Sequence, residues 1–283
     1  MLRGEPLVQS ALANDAILGL RSLSRLRVEL VDQVADQKRR VLAVLDQVFP
    51  EIEALFSDVF GKTAMALLES YPTPAAITQL DLEHLTAFLR QHSRGRLGQA
   101  KAAIVYQAAC QSFGVTLALD ALTAQIRLLL VQIRFLQQQV MELEQQIALY
   151  LSPIPQHLTT IPGIGSVLAA ALLGEIGDVK RFKNAAALVA YAGIDPSVYQ
   201  SGQFQAPRMR ISKRGSPYLR RALWQAACGA GQYDPALRKR YEKQMQAGKH
   251  PAVATGAVAN KLLHIIYAIL RDNKPYAPAV DNP

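Results

Sequence analysis

Apolar residues recur at spacings of three and four along most of this chain, the period of helices with one buried face. Over residues 14–48, Leu20, Leu23, Leu30, Val34, Val41 and Val48 keep that rhythm, with polar Arg27 and Gln37 at two positions of the stripe. Pro50 limits the predicted helix. Residues 51–118 read as short helices punctuated by Gly61, the Tyr71-Pro72-Thr73-Pro74 turn, Gly95, Gly98 and Gly114, with no strong strand.

The strictest pattern follows. Leu119, Leu122, Ile126, Leu129, Ile133, Leu136, Val140, Leu143, Ile147 and Tyr150 alternate threes and fours without a miss. Ile126, Ile133, Val140 and Ile147 at a, with Leu122, Leu129, Leu136 and Leu143 at d, favour a parallel two-stranded coiled coil. Dimerisation through 119–150 is therefore expected over packing against helix 14–48 of the same chain. Pro153 and Pro155 end the helix.

Residues 156–276 predict further helices. One spans 166–177, another about 184–192. A third starts at Ser216-Pro217, cap then first-turn proline, and stops near Gly229. A fourth runs from Asp234-Pro235 to before Gly248, and an apolar one from 251 to 271. The stretch 193–215 has turn chemistry and room for one short hairpin. The expected fold is all-α: a helical and coiled-coil N-terminal half, then a helix-hairpin-helix-containing domain, divided as 1–118, 119–152 and 153–283.

Charge changes the picture. The 283 residues carry 31 Lys and Arg against 22 Asp and Glu, a net charge of +9. Residues 201–250 alone hold eleven basic side chains and two acids, the whole excess of the protein. With Tyr218, Trp224, Tyr233 and Tyr241 interleaved, that block reads as a nucleic-acid footprint. A solvated basic face, or a helical adaptor docking acidic proteins through 201–250, is the bland competitor. Half of the residues are hydrophobic and 19% charged, which excludes a disordered or collagen-like chain. Cys110 and Cys228 make no disulfide framework and no metal spacing, so a reduced, cytoplasmic setting is expected. The N-terminus has no apolar signal region. Apolar runs are broken before 18 residues, by Lys261 and His264 near the C-terminus, so no membrane span is expected.

Three stretches could carry chemistry. In His157 to Gly165, a Pro-Gly-x-Gly turn ahead of a helix would aim orphan amides at a phosphate, as in a helix-hairpin-helix module, with Gly163 and Gly165 shaping the turn. A tight glycine turn between packed helices is the alternative. In Gln200-Ser201-Gly202, a loop serine beside glycine could be approached by a phosphodiester, with Arg208, Arg210, Lys213 and Arg214 near to stabilise developing charge. Ser212 is a rival nucleophile with closer basic neighbours. Ser216 reads as a helix cap and Ser166 as the start of the hairpin's second helix. In Ile211 to Arg221, a basic loop runs into a capped helix whose first turns carry Arg220 and Arg221, a phosphate clamp. No Walker loop, Rossmann fingerprint or spaced carboxylate set for magnesium is present, and Asp15, Asp32, Asp36 and Asp46 scatter over one helix.

From about Leu20 to Tyr276 these stretches resemble the IS-one-ten family of bacterial insertion-sequence transposases (DEDD/serine recombinases). The resemblance is carried by Leu45-Asp46-Gln47-Val48-Phe49-Pro50-Glu51, the Tyr71-Pro72-Thr73-Pro74 turn, Ile161-Pro162-Gly163-Ile164-Gly165 and Tyr191-Ala192-Gly193-Ile194-Asp195-Pro196. The Gln200-Ser201-Gly202 loop and the run from Ile211 to Arg221 complete it. It implies that Ser201 is the nucleophile that attacks a DNA phosphate and forms a transient covalent link. It implies a structured guide RNA, and a homo-oligomer assembled through 119–150. It also implies a RuvC-like domain with four magnesium-binding acids. None of the four matches a residue here, so magnesium is expected only with a RuvC-like domain supplied elsewhere. The expected function is DNA transposition by a serine transposase or recombinase. The alternative is a truncated, inactive remnant that dimerises and binds DNA or RNA without cutting.

Overall fold

The stripe that begins at Leu20 is a single helix, α1 (Asp15–Val48), in a computed structural model that describes residues 15–195 and 211–278 and the backbone of 200–201 and 204–205. Seven helices cover the first half of the chain. After α1 come α2 (Ile52–Leu55), α3 (Lys62–Ser70), α4 (Pro74–Thr78), α5 (Leu82–His92), α6 (Gln99–Cys110) and the long α7 (Leu119–Leu151). Local chemistry explains their starts. Thr73 accepts the amide of Ala76 with Pro74 in the first turn, and Asp81 accepts the amide of His84. The second half holds α8 (Ser166–Ile176), α9 (Ala185–Ala192), α10 (Pro217–Tyr233), α11 (Pro235–Gln246) and α12 (Pro251–Asp272). Two-residue strands, β1 (Gln200–Ser201) and β2 (Phe204–Gln205), pair antiparallel between α9 and α10. The architecture is all-α with this one short hairpin.

The chain forms two compact units. One comprises Glu29–Met141; the other joins Met1–Val28 to Glu142–Pro283. The division thus falls inside α1 and α7, which contribute to both, rather than at the chain positions 118 and 152 where composition shifts.

In the 29–141 unit, Val41, Leu45, Phe49, Ile52, Leu67 and Leu85 form one core with Ile126, Leu130 and Ile133 of α7. Ile126 and Ile133 are fully buried and Leu129 nearly so. This first half of the heptad seam is therefore packed inside its own chain. A partner stripe already tethered in the same molecule requires no loss of translational freedom, unlike a second copy. Leu128, Val131 and Phe135, on another face of α7, are exposed. The loop before α7 is tied down by Glu51, which accepts the Ser112 hydroxyl at 2.7 Å and the Phe113 amide at 3.3 Å.

In the other unit, α12 lies against α9, α10 and α11, while α8 packs on α10. Small residues on α10 (Ala222, Ala226, Ala230) and α12 (Ala254, Ala259) allow the close approach, and Leu223, Val258, Leu262 and Ile266 fill the remaining space. Among the described residues α12 alone is long and apolar enough to cross a membrane. Its Ala254, Val258, Leu262 and Ile266 are buried in this unit's core. Helix α10 is longer than its glycines predict: it passes through Gly229 to Tyr233 and ends where Asp234 caps α11.

Candidate nucleic-acid interface

The Pro162-Gly163-Ile164-Gly165 turn follows a single 3-10 turn, Leu158–Thr160, where a full helix-hairpin-helix would have an α-helix. Gly163 has φ of +86° and lies against the backbone of α10, so a Cβ there would stand 2.6 Å from the carbonyl carbon of Gly229. The two glycines form a notch that locks the turn onto α10, which explains why Gly229 does not stop that helix. Gly165 is different. It is the N-cap of α8 with no side-chain cap, and its Cβ direction opens onto free space. The first amides of α8 at Ser166 and Val167 thus lack a side-chain acceptor at an open helix N-terminus, where dipole and orphan donors favour an anion. The turn is also held from the far end of the chain. The Tyr276 amide donates to the Thr160 hydroxyl at 2.8 Å, and the Tyr276 hydroxyl donates to Asp234 at 2.7 Å. Burial first, and then Asp234, push the Tyr276 phenol well above its ordinary range.

The described residues that flank the segment bearing Ser201 in the chain meet at one clasp. Gly193, left-handed at φ +65°, ends α9, and its carbonyl accepts the amide of Lys213 at 3.0 Å. The Ser212 amide donates to the Asp195 carbonyl, and the Ser212 hydroxyl to the Asp195 carboxylate. A Cβ on Gly215 would lie 1.5 Å from the carbonyl oxygen of Tyr191, so only glycine fits where the returning strand crosses α9. Arg220 completes the clasp, its guanidinium donating to the carbonyls of Ala192 and Gly215, both at 3.2 Å.

Of the residues singled out for phosphate binding, Lys213 and Arg214 stand exposed at this clasp. Arg220 is half-buried and bound to backbone carbonyls, and Arg221 is half-buried beside Arg25 and Tyr218. The hydroxyl of Ser212, the rival nucleophile, is already bonded to Asp195. Ser201 sits in β1, paired with Phe204, with its side chain outside the described residues. Arg208 and Arg210 lie outside them too.

Behind the clasp is a hub that sequence reasoning missed. Glu175, a lone acid in the otherwise apolar α8, is 2% exposed. It accepts two hydrogen bonds from Arg25 of α1, at 2.6 and 3.0 Å, and one from the Ser216 hydroxyl at 2.7 Å. The Arg25 guanidinium also stacks over Tyr218, 4.7 Å from its ring centre. Burial pushes the Glu175 carboxyl up, but the hydrogen bonds from Arg25 and Ser216 and the charges of Arg25 and Arg21 outweigh it and hold it below the usual range. Ser216 therefore both caps α10, accepting the Leu219 amide, and joins the cap to α8 and α1. An acid alone on an apolar helix face was the available signal.

On α11, Arg238, Lys239, Arg240 and Lys243 are exposed. Lys213, Arg214 and Lys249 are exposed in the same unit, and each of these cations suits a phosphate oxygen. Among the described residues no group of three His, Cys, Asp or Glu is placed to hold a metal ion. Cys110 and Cys228 are free and exposed.

Residues 155–242, which include the hairpin, the clasp, the hub acid and most of α11, match the model of the Transposase IS116/IS110/IS902 family. The chain is 29% identical over 255 residues to the insertion element IS110 uncharacterized 43.6 kDa protein of Streptomyces coelicolor, covering 88% of this chain and 62% of that protein. It is 39% identical over 121 residues to the pilin gene-inverting protein of Moraxella bovis, covering 42% of this chain and 37% of that one. Against the insertion element IS900 uncharacterized 42 kDa protein of Mycobacterium paratuberculosis it is 27% identical over 272 residues, 94% of this chain and 67% of the relative. The chain thus spans between about a third and two thirds of the length of these relatives. Along most of its length it is similar to insertion-element proteins, and over 155–242 to the IS116/IS110/IS902 transposases.

Proposed function

We propose that this chain acts in DNA transposition, gripping the DNA backbone through residues 157–221 and α11 and using Ser201 as the nucleophile of strand exchange. The observation that carries the reading is the composition of the matched stretch 155–242. It contains an open, uncapped helix N-terminus at Gly165 and a clasp that joins Gly193 and Asp195 to Ser212 and Lys213, the two ends of the segment bearing Ser201, with Lys213 and Arg214 exposed beside it.

In the proposed step the Ser201 hydroxyl oxygen attacks a backbone phosphorus. An Oγ–P ester forms, one P–O bond of the DNA breaks, and the departing deoxyribose oxygen takes up a proton. Attack by a DNA hydroxyl on that ester restores the serine and joins the new strand. Lys213 and Arg214 stabilise the charge that builds on the phosphoryl oxygens, while Arg220, Asp195 and Ser212 hold the clasp. Magnesium would enter only with a RuvC-like domain supplied elsewhere. A structured guide RNA selects the DNA site, and the exposed Leu128, Val131 and Phe135 face of α7 serves self-association.

The test is covalent trapping. The purified chain is incubated with element-end DNA, RNA and magnesium, with and without a longer relative. A denaturation-resistant DNA adduct that disappears in Ser201→Ala supports the reading. An adduct that survives Ser201→Ala moves the nucleophile elsewhere. Tight salt-sensitive binding with no adduct under any condition would make the chain a binding protein.

A further inference from the structure

The 29–141 unit carries a second basic surface, hidden in the overall charge because this half of the chain balances. From His84 to Ala118 the sequence contains Arg90, Arg94, Arg96 and Lys101 and no acid. The fold gathers part of this run with Lys62, the first residue of α3. A cavity of about 390 Å³ is lined by Lys62, Thr63, His92, Arg94 and Arg96, with no carboxylate in its wall. It shares Lys62, His92 and Arg94 with a neighbouring groove of about 640 Å³. Arg134 and Glu69, both lining that groove, are paired with each other at 2.6 Å. Among the described residues, none of Lys62, Arg94 and Arg96 pairs with a carboxylate, and all three are exposed.

We infer that this trough is a second binding site for the sugar-phosphate backbone of duplex DNA. Three cations around an open concavity would repel one another and have no acid to relieve them, so a polyanion is the complementary ligand. The aromatic faces nearby are already covered: Lys38 lies over Phe60, 4.9 Å from its centre, and Phe88 packs on His92 at 4.4 Å. Among the described residues the rings that line the two cavities, Phe60 and His92, each already have a neighbour packed on them, which favours a duplex read through its phosphates over a single strand gripped by base stacking. The inference extends the DNA-binding reading to a unit that the 155–242 match does not reach.

The test measures binding of the full chain to a fixed-length DNA duplex over a range of salt. Arg94 has φ of +55°, so Arg94→Gly removes its charge without backbone strain, and Arg96→Gln accompanies it. The double variant should lower the slope of log K against log salt by about 1.8, at about 0.9 per phosphate contact. Lys62→Gln alone should lower it by about half that, and circular dichroism melting should match the parent. A slope unchanged in both variants overturns the trough. A loss seen on duplex RNA but not on duplex DNA overturns its assignment to DNA. Lys213→Gln with Arg214→Gln separates the two readings. If only that variant lowers the slope, the trough fails and the proposed interface stands. If only the trough variants do, the trough stands and the interface fails. A parent chain that does not bind DNA overturns both.

Discussion

Replacing Glu175 by Gln removes one charge and leaves the shape of the hub nearly intact. The substituted amide keeps one oxygen for Arg25 or Ser216 but brings an NH2 against donors, so at least one of the three hydrogen bonds at 2.6–3.0 Å is lost. Breaking a fully buried pair costs about 3–5 kcal/mol. The Arg25 side chain is 41% exposed here and can turn to water, so the expectation drops to about 2 kcal/mol. At about 2–4 °C per kcal/mol for a unit of this size, melting should fall by about 4–8 °C at neutral pH. Acid supplies the second readout. The folded carboxyl titrates below its unfolded value, so its stabilisation is present above that value and is lost as pH falls through the folded pKa. The melting difference between parent and Glu175→Gln should therefore be full at pH 7 and shrink as pH drops below about 4.3, the ordinary Glu value. Melting followed by circular dichroism from pH 3 to 7 measures both. A loss under 1 °C at pH 7, or a gap that widens in acid, would refute the account of Glu175 as a paired buried anion.

The two glycines of the hairpin should separate cleanly. Gly163→Ala meets both a left-handed φ and the Gly229 backbone at 2.6 Å, and should cost about 2–4 kcal/mol; Gly165→Ala, facing open space, should stay within about 1 kcal/mol by denaturant titration. Equal losses would show that the notch is not tight. Ile133→Ala in α7 should destabilise the 29–141 unit by about 2–4 kcal/mol through a cavity, with mass by light scattering unchanged. A fall in mass with little loss of stability would place that stretch of the seam between chains.

Helix starts were legible because capping is local. Ser216-Pro217 and Asp234-Pro235 each place an oxygen acceptor beside a proline that suits the first turn, and both caps form. The end of α10 was not legible. Gly229 carries the composition of a stop, but its role depends on Gly163, 66 positions earlier. The heptad of α7 read correctly as a helix with a strict apolar seam. Periodicity reports that a face is buried, not whether the covering helix belongs to the same molecule, and Val41 and Leu45 of α1 lie in the same core as Ile126 and Ile133. In the site, the exposed Lys213 and Arg214 follow from composition. Arg220 looked the same in sequence, yet it binds carbonyls of Ala192 and Gly215, a long-range fact that residue type does not encode. Glu175 showed only as a lone acid on an apolar face and Asp195 only as part of a motif, because each gains its meaning from a partner on another element.

The clasp also sets how freely the segment it closes can change in length. Asp195 and Ser212, described residues on either side of it, are held at one point of the body, fixed by Gly193 and Asp195 on one side and by Ser212, Lys213 and Gly215 on the other. With both ends fixed there, inserted residues add only closure entropy, about 0.6 kcal/mol for each doubling of the loop. Insertion or deletion between the two arms is therefore nearly neutral for α9 and α10, which flank them in the chain.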